Sequence, residues 1–361
     1  MVPGLKERAK DELESALARG WVVANRFLSE LNPEFLQAVT DDATKGYPGL
    51  PGLAPAAGLE RIERIVEARF CQLIADDVAG AIRAYRALAR EDFGSDRYVN
   101  ADLALSLLPE YAADKEFRTV FHRATYAPVS YLTRQLVVPE ILKNESTGRP
   151  YALFLAGGPA SGKSTVSKGA LKKSLRASAV IVDSNLATMQ RGTAFLDMAL
   201  KAGLRPYVAF VYRPWEGVEQ SVLSRLREQG RPISARTLAG NHYEAQQTFL
   251  SLAELYDGQA DFAVFSNEGG IQDVDKKTLE FLRERSYAFQ GENGCKEALA
   301  RRFQEHVVRE WRRGNLTTVE AIASGFDSVD YGGLGRLEAA SKGLREEARE
   351  ADASSEGVVE T

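Results

Sequence analysis

Apolar and polar positions follow two rhythms along this chain, and the change of rhythm divides it into parts. Up to about residue 45, Leu5, Leu13, Leu17, Val22, Phe27, Leu28, Leu31 and Phe35 recur every three or four positions among charges, the spacing of a helix face. Residues 46–55 cannot continue a helix, because their prolines lack donors and their glycines are too free. Residues 58–90 then predict one long amphipathic helix, with Ile62, Ile65, Val66, Phe70, Leu73, Ile74, Val78, Ile82 and Tyr85 on one side. Another is expected over 117–142, bent where Pro128 and Pro139 interrupt it.

At Tyr151 the texture changes. Tyr151-Ala-Leu-Phe-Leu-Ala156 is a short apolar run ending in glycines, which suits a buried parallel strand. Similar runs occupy 177–183, 207–212 and 261–265, with helical stretches at 163–175, 188–202, 214–229 and 234–255. Such alternation predicts an α/β fold, a parallel sheet with helices on both faces. Helical patterns return over 276–286, 296–312 and 334–350, and the small polar residues 351–361 are expected to be disordered. The expected organisation is a helical N-terminal region (1–95), an α/β core (96–270), a C-terminal helical region (271–350) and a tail (351–361).

Composition narrows the setting. In 361 residues, Lys+Arg 46 against Asp+Glu 50 leaves a net charge of −4, with no general attraction to nucleic acid or an anionic membrane. Cys71, Cys295 and the three histidines make no metal-ligand spacing. With no signal-type segment and no run near the ~18 apolar residues of a span, a cytoplasmic protein is expected, with no membrane partner.

The strongest chemical signal is Gly157, Gly158, Pro159, Ala160, Ser161, Gly162, Lys163, Ser164 and Thr165, which satisfies G-x-x-x-x-G-K-[ST] between a strand and a helix. Glycines let the backbone turn several N–H groups onto phosphate. Lys163 is placed to bridge β- and γ-phosphate oxygens of ATP (or GTP), and Ser164 to ligate Mg²⁺. The fold class is thus a P-loop NTPase or kinase sheet flanked by N- and C-terminal helical regions.

Asp183 ends the apolar run Ala179-Val-Ile-Val182 and so stands at the carboxyl edge of a strand, where open α/β sheets bind ligands. It can hold Mg²⁺ through water or fix a substrate hydroxyl; the plainer alternative is an N-cap for the next helix. Arg225, Arg227 and Arg231 cluster where a helix runs into a loop, the place of a lid whose guanidinium groups cancel charge on a transferred phosphoryl. The alternative is a solvated basic helix end.

Residues 155–165, 180–186, 208–211 and 225–234 together resemble the zeta toxin-type kinases. That family carries a strand ending in Glu/Asp-Gly-Thr and an arginine lid written R…GR-x-V-P; here the positions read Asp183-Ser-Asn185 and Gly230-Arg-Pro-Ile-Ser234. Ser234 is expected to cap the following helix. The family also places an aspartate-bearing strand between the phosphate-loop helix and the Glu/Asp-Gly-Thr strand. Only about twenty residues separate Lys163 from Asp183, too few for that unit, yet Tyr98-Val-Asn-Ala-Asp102 with the helix after it looks like the missing segment. The resemblance therefore implies a permuted order, with an edge strand supplied from the other side of the chain. It implies Asp102 as general base; the alternative is an ordinary N-cap aspartate. The departures are Asn185 where threonine is usual and Ala187 where some members carry a substrate-binding arginine.

The resemblance implies transfer of a γ-phosphoryl group to a hydroxyl of a small nucleotide-like acceptor, such as a nucleotide sugar. Lys163, Asp102, Asp183, Arg225 and Arg231 would do the chemistry, with Ser164 and Asp183 toward the metal. It also implies a bacterial toxin or delivered effector and an antitoxin or other inhibitor protein as partner. Two other classes remain open: an NTP-binding switch or ATPase acting through a protein partner, and a polynucleotide 5′-kinase. The acidic balance argues against the second.

Overall fold

The computed structural model describes residues 61–145, 148–274, 278–285 and 292–325, and before them 22–24, 26–29, 31, 47, 49–53, 55 and 59. The helix expected over 334–350, the tail 351–361 and most of the first 45 residues lie outside the described residues. Five parallel strands and one antiparallel strand form a single sheet: β1 (Tyr98–Asn100), β2 (Tyr151–Ala156), β3 (Ser178–Asp183), β4 (Arg205–Tyr212), β5 (Asp261–Asn267) and β6 (Ile271–Asp273). Their order across the sheet is β1-β3-β2-β4-β5-β6, with only β6 antiparallel. The phosphate-loop strand β2 is thus central, and the early strand β1 is an edge, two strands away. The α/β expectation is met. The short β6 was not foreseen, since three residues carry too little pattern to mark a strand.

Register decides what meets at the carboxyl edge. Asn100 pairs with Asp183 and Leu155 with Asp183, so the ends of β1, β2 and β3 stand level. Leu153, Leu155, Ile181, Ala209 and Val211 form one buried layer on the sheet, and the larger cluster on the other face extends from Val23 to Ala321. Each fully buried leucine in such a layer contributes about 1.5–3 kcal/mol relative to exposure.

In place of the single helix expected over 58–90 there are two, α1 (Arg61–Asp76) and α2 (Val78–Phe93). The break has a cause: the Asp77 carboxylate accepts the Gly80 N–H at 2.7 Å and caps the second helix. After β1 come α3 (Ala101–Ala104), α4 (Pro109–Ala113) and α5 (Lys115–Phe121). The helix expected over 117–142 is subdivided into the end of α5, a 3₁₀ turn, α6 (Tyr126–Tyr131), a π-turn over Leu132–Val137 and α7 (Val138–Glu145). Pro139 lacks an N–H and crowds the carbonyl four residues back; just before it, the Val138 N–H reaches Thr133 O, five residues back.

The stretch 163–175 likewise splits, at Gly169, into α8 (Lys163–Lys168) and α9 (Lys172–Ala177). The remaining helices are α10 (Met189–Lys201), α11 (Trp215–Gln229), α12 (Ala235–Leu255), α13 (Thr278–Glu284), α14 (Glu292–Arg312) and α15 (Thr318–Gly325). Ser234 caps α12 as expected, its hydroxyl accepting the Thr237 N–H at 3.3 Å. The two C-terminal helices brace the elements around the site. Glu310 on α14 pairs with Arg227 at 3.7 Å, and Glu320 on α15 accepts from Lys115 Nζ at 2.7 Å.

Candidate active site

The loop from Gly157 to Gly162 joins β2 to α8 in a conformation that its glycines permit. Gly157 has φ 124° and its N–H donates to Asn185 O at 3.4 Å. A β-carbon there would stand 2.5 Å from Val211 O, so only glycine fits between β2 and β4. Ala160 adopts a positive φ of 56°, a strained value for a residue with a side chain. The loop is held from outside by three residues that the motif does not contain. Arg213 donates to Ala160 O at 2.9 Å and to Ser221 Oγ at 2.7 Å. Asn267 donates to Ser161 O at 2.9 Å. His242 packs behind Gly158 and against Trp215, and burial, aided by the Lys163 charge, pushes its imidazole down to about 4. At neutral pH His242 is therefore an uncharged wall of the loop.

Lys163 folds back over the loop. Its Nζ donates to Gly157 O and Gly158 O at 3.1 Å each and to Asn185 Oδ1 at 3.3 Å. Burial lowers its pKa, against the opposing charge of Asp183. The Ser161 hydroxyl is fully buried and has no hydrogen-bond partner among the described residues, and Ser164 and Thr165 are exposed.

Asp183 does not cap a helix; that place belongs to Thr188, at the start of α10. Its Oδ2 accepts from Tyr98 OH at 3.1 Å and from Asn100 Nδ2 at 3.0 Å, both on the neighbouring strand β1. Burial raises the Asp183 pKa and the nearby Asp102 charge adds to this, while Lys163 and the two donors oppose it. Ionising this carboxyl therefore carries a cost to the fold. A folded pKa above the unfolded value contributes stability below the ordinary carboxylate range and loses it as pH rises through the folded value. Asp183→Asn is thus expected to raise Tm by ~2 °C at pH 7.5, with the gain vanishing near pH 4. Paired thermal melts at the two pH values check this; a lower Tm at pH 7.5 contradicts it.

Asp102 is also not an N-cap. Asn100 caps α3, its Oδ1 accepting the Asp102 N–H at 2.7 Å, which frees the Asp102 carboxylate for other partners. Those partners come from the far end of α11. Arg225 Nη2 lies 3.1 Å from Asp102 Oδ2, and Arg231 Nη2 is ion-paired to Oδ1. Although 46% of the Asp102 side chain faces the open cleft, protein surrounds the cleft and burial still pushes its carboxyl up. The charges of Arg231 and Arg225 outweigh that and hold it well below the usual carboxylate range. Arg225 in turn is lowered by burial and by the Arg231 charge; for Arg231, burial is outweighed by Asp102, and its pKa rises.

Arg231 is held there by its own neighbours. Gly230 ends α11 with φ 64°, and its N–H returns to Leu226 O at 2.8 Å. A β-carbon at this position would stand 2.6 Å from Lys115 O. Arg118 on α5 donates to Gln229 O at 2.7 Å and to Tyr111 O and Ala112 O at 2.9 Å each, joining the arginine segment to the chain just after the aspartate.

Lys163, Asp102, Asp183, Arg225 and Arg231 all line one cleft of about 1340 Å³, with Pro159 to Thr165 along one wall. Gly157 and Gly158 lie behind that wall, and Arg227 is turned away to Glu310. Sequence reasoning did not single out Asn100, Tyr98, Arg213, His242 or Asn267 as parts of the site. Arg213 and Asn267 carried a usable signal, since each stands at the carboxyl end of a strand. Among the described residues no group of three His, Cys, Asp or Glu side chains could hold a metal ion, and no helix is long and apolar enough to cross a membrane.

Comparison with known proteins adds a family. Residues 174–278 match the zeta toxin family, so over that segment the chain is zeta toxin-like. The match begins after the phosphate loop and contains neither Gly157 to Thr165 nor Asp102. No curated protein matches the chain. Two crystal structures are similar at low identity. The AvrRxo1-ORF1:-ORF2 complex is 12% identical over 56% of this chain and 82% of that one, with a TM-score of 0.33. AvrRxo1-ORF1:AvrRxo1-ORF2 with sulphate ions is 13% identical over 81% and 97%, with a TM-score of 0.38.

Proposed function

We propose that the chain is a P-loop phosphotransferase of zeta toxin type, moving the γ-phosphoryl group of ATP or GTP to a hydroxyl of a small nucleotide-like acceptor. One observation carries this reading: an Asp102 carboxylate gripped by Arg225 and Arg231 shares a cleft with Lys163 and its phosphate loop. A lone phosphate loop would serve any NTPase. A carboxylate among arginines beside it is what transfer to a hydroxyl needs, a base next to charge-neutralising donors.

The acceptor oxygen attacks the γ-phosphorus, its proton passes to a carboxylate oxygen of Asp102, and the bond to the β-phosphate oxygen breaks to release the diphosphate. Lys163 exchanges the carbonyls of Gly157 and Gly158 for phosphate oxygens. Arg231 and Arg225 move their charge from Asp102 to the transferring group, which frees the base as the phosphoryl arrives. Asp183, fixed by Tyr98 and Asn100, orients the substrate, and it would hold Mg²⁺ through water when the ion is bound.

The residues present fit Mg²⁺. The Ser164 side chain is exposed and makes no hydrogen bond within the described residues, and Mg²⁺ commonly takes one or two protein ligands beside phosphates and water. Ser164 and Asp183 would hold it, and it would supply charge neutralisation across the phosphates. Residues 96–270 form the catalytic unit in this proposal, and the helices beyond 271 support the arginine segment through Glu310 and Glu320. By resemblance the protein acts in a cytoplasm as a toxin restrained by an inhibitor protein.

The test is transfer of label from γ-labelled ATP into a pooled metabolite extract. The wild type should label a discrete small molecule, and Lys163→Ala should cut that labelling by ~10²-fold or more, the scale for one lost charge-stabilising donor. Hydrolysis of ATP with no labelled acceptor replaces this reading with the NTP-driven switch.

A further inference from the structure

The cleft contains a second set of cations that the transfer chemistry leaves unused. Arg134 and Arg191 both line it, from different elements: Arg134 from the π-turn Leu132–Val137, Arg191 from the first turn of α10. Both residues are half-buried. Among the described residues neither guanidinium has a hydrogen bond or an ion pair; the Arg191 backbone N–H donates to Thr188 Oγ1 at 3.4 Å. The two are near enough to repel. Burial and the Arg191 charge push Arg134 down to about 10, and burial lowers Arg191.

Two like charges withdrawn from water without a counter-ion disfavour the empty fold. The contrast with the rest of the cleft is informative, because Arg225 and Arg231 there share Asp102. The π-turn strengthens the case. Thr133 Oγ1 bonds back to Val129 O at 2.8 Å, and such irregular turns inside helices concentrate at functional sites. Paired arginines present planar forks that match phosphate oxygens better than any neutral group.

We propose that Arg134 and Arg191 form an anion subsite, separate from the phosphate loop, that takes a phosphate or diphosphate group already present on the acceptor. The inference rests on the kinase reading and deepens it: it assigns Arg134 and Arg191 as the residues that hold the phosphate groups of a nucleotide-like acceptor. Neither arginine is needed for the nucleotide triphosphate.

The experiment is calorimetric titration of the full chain with inorganic pyrophosphate, with the phosphate loop already filled by a non-hydrolysable ATP analogue and Mg²⁺. The wild type should bind pyrophosphate. Arg134→Gln and Arg191→Gln should each weaken it by about tenfold, the double variant should show no binding, and affinity for the analogue should be unchanged. If the glutamine variants fail to fold, Arg134→Lys and Arg191→Lys keep the charge, lose the fork, and should still weaken binding. Equal binding by wild type and double variant overturns the subsite. So does loss of pyrophosphate binding on filling the phosphate loop, which would give the pair to the triphosphate. Binding of a 5′-phosphorylated oligonucleotide through both arginines, without pyrophosphate binding, overturns it as well. The titration reads binding alone: a wild type that labels an acceptor but gives a flat titration sinks the subsite and spares the kinase reading. One that binds pyrophosphate through both arginines but labels nothing does the reverse.

Discussion

Arg231→Ala is expected to lower phosphoryl transfer by ~10³-fold or more while ATP still binds, since an arginine that meets the transferring group acts mainly in the transition state. The case for so large an effect is geometric. Arg231 is only 18% exposed, follows a glycine that no other residue can replace without striking Lys115 O, and pairs with Asp102 in the cleft. A flexible surface arginine would regain solvent when its partner left. This one can pass only from one anion to another within the cleft. Arg225 shares the same carboxylate, so the two losses should be non-additive, with Arg225→Ala costing less and the double variant little more than Arg231→Ala alone. Single-turnover rates at saturating ATP, beside ATP affinities, measure this. A fall in affinity that accounts for the whole loss would make Arg231 a ground-state nucleotide clamp instead.

How much of this site was legible in the sequence depended on whether its parts are contiguous. The phosphate loop is a nine-residue run, and the structure builds its cradle from those residues. Asp183 was found by position, because an acid at the end of an apolar run must stand at a sheet edge. Asp102 had no such mark. Its partners Arg225 and Arg231 lie more than 120 residues away, and only resemblance pointed to it. The zeta toxin match, which begins at residue 174, excludes that segment. The edge position of β1 shows how it can precede the phosphate loop: β1 needs hydrogen bonds from β3 alone, so its place in the chain is free.

What sequence reasoning missed is mostly local competition and long-range support. Asp77 breaks a helix whose apolar stripe runs on unbroken through it. Asn100 takes the capping role that looked open to Asp102, and thereby leaves the carboxylate available. Arg213, His242 and Asn267 brace the phosphate loop from β4, α12 and β5, and no spacing rule joins them. Arg134 and Arg191 are ordinary helix residues until the π-turn and α10 bring them to one cleft.

Asp102→Asn is expected to lower transfer by ~10²- to 10⁴-fold, the range of a positioned general base, without weakening ATP binding. Removing an acid beside Arg225 and Arg231 takes away the anion that competes with phosphate for them, so ATP should bind as tightly or more tightly. The pH dependence then separates this role from a structural one. In the wild type the two arginines hold the Asp102 carboxyl below its ordinary range, so it stays ionised as pH falls and kcat/KM should show no acid limb from it above about pH 5. Arg231→Ala removes the larger of the two charges that oppose burial, and the carboxyl should rise. The residual activity of that variant should therefore acquire an acid limb that the wild type lacks, and Asp102→Asn on the same background should erase it. A merely structural Asp102 gives parallel profiles in all three proteins. If Asp102→Asn transfers within about threefold of wild type, a base effect of the usual size is ruled out. Asp183, the other carboxylate of the cleft, then takes the proton, and the arginine cluster becomes a lock on the empty site rather than part of its chemistry.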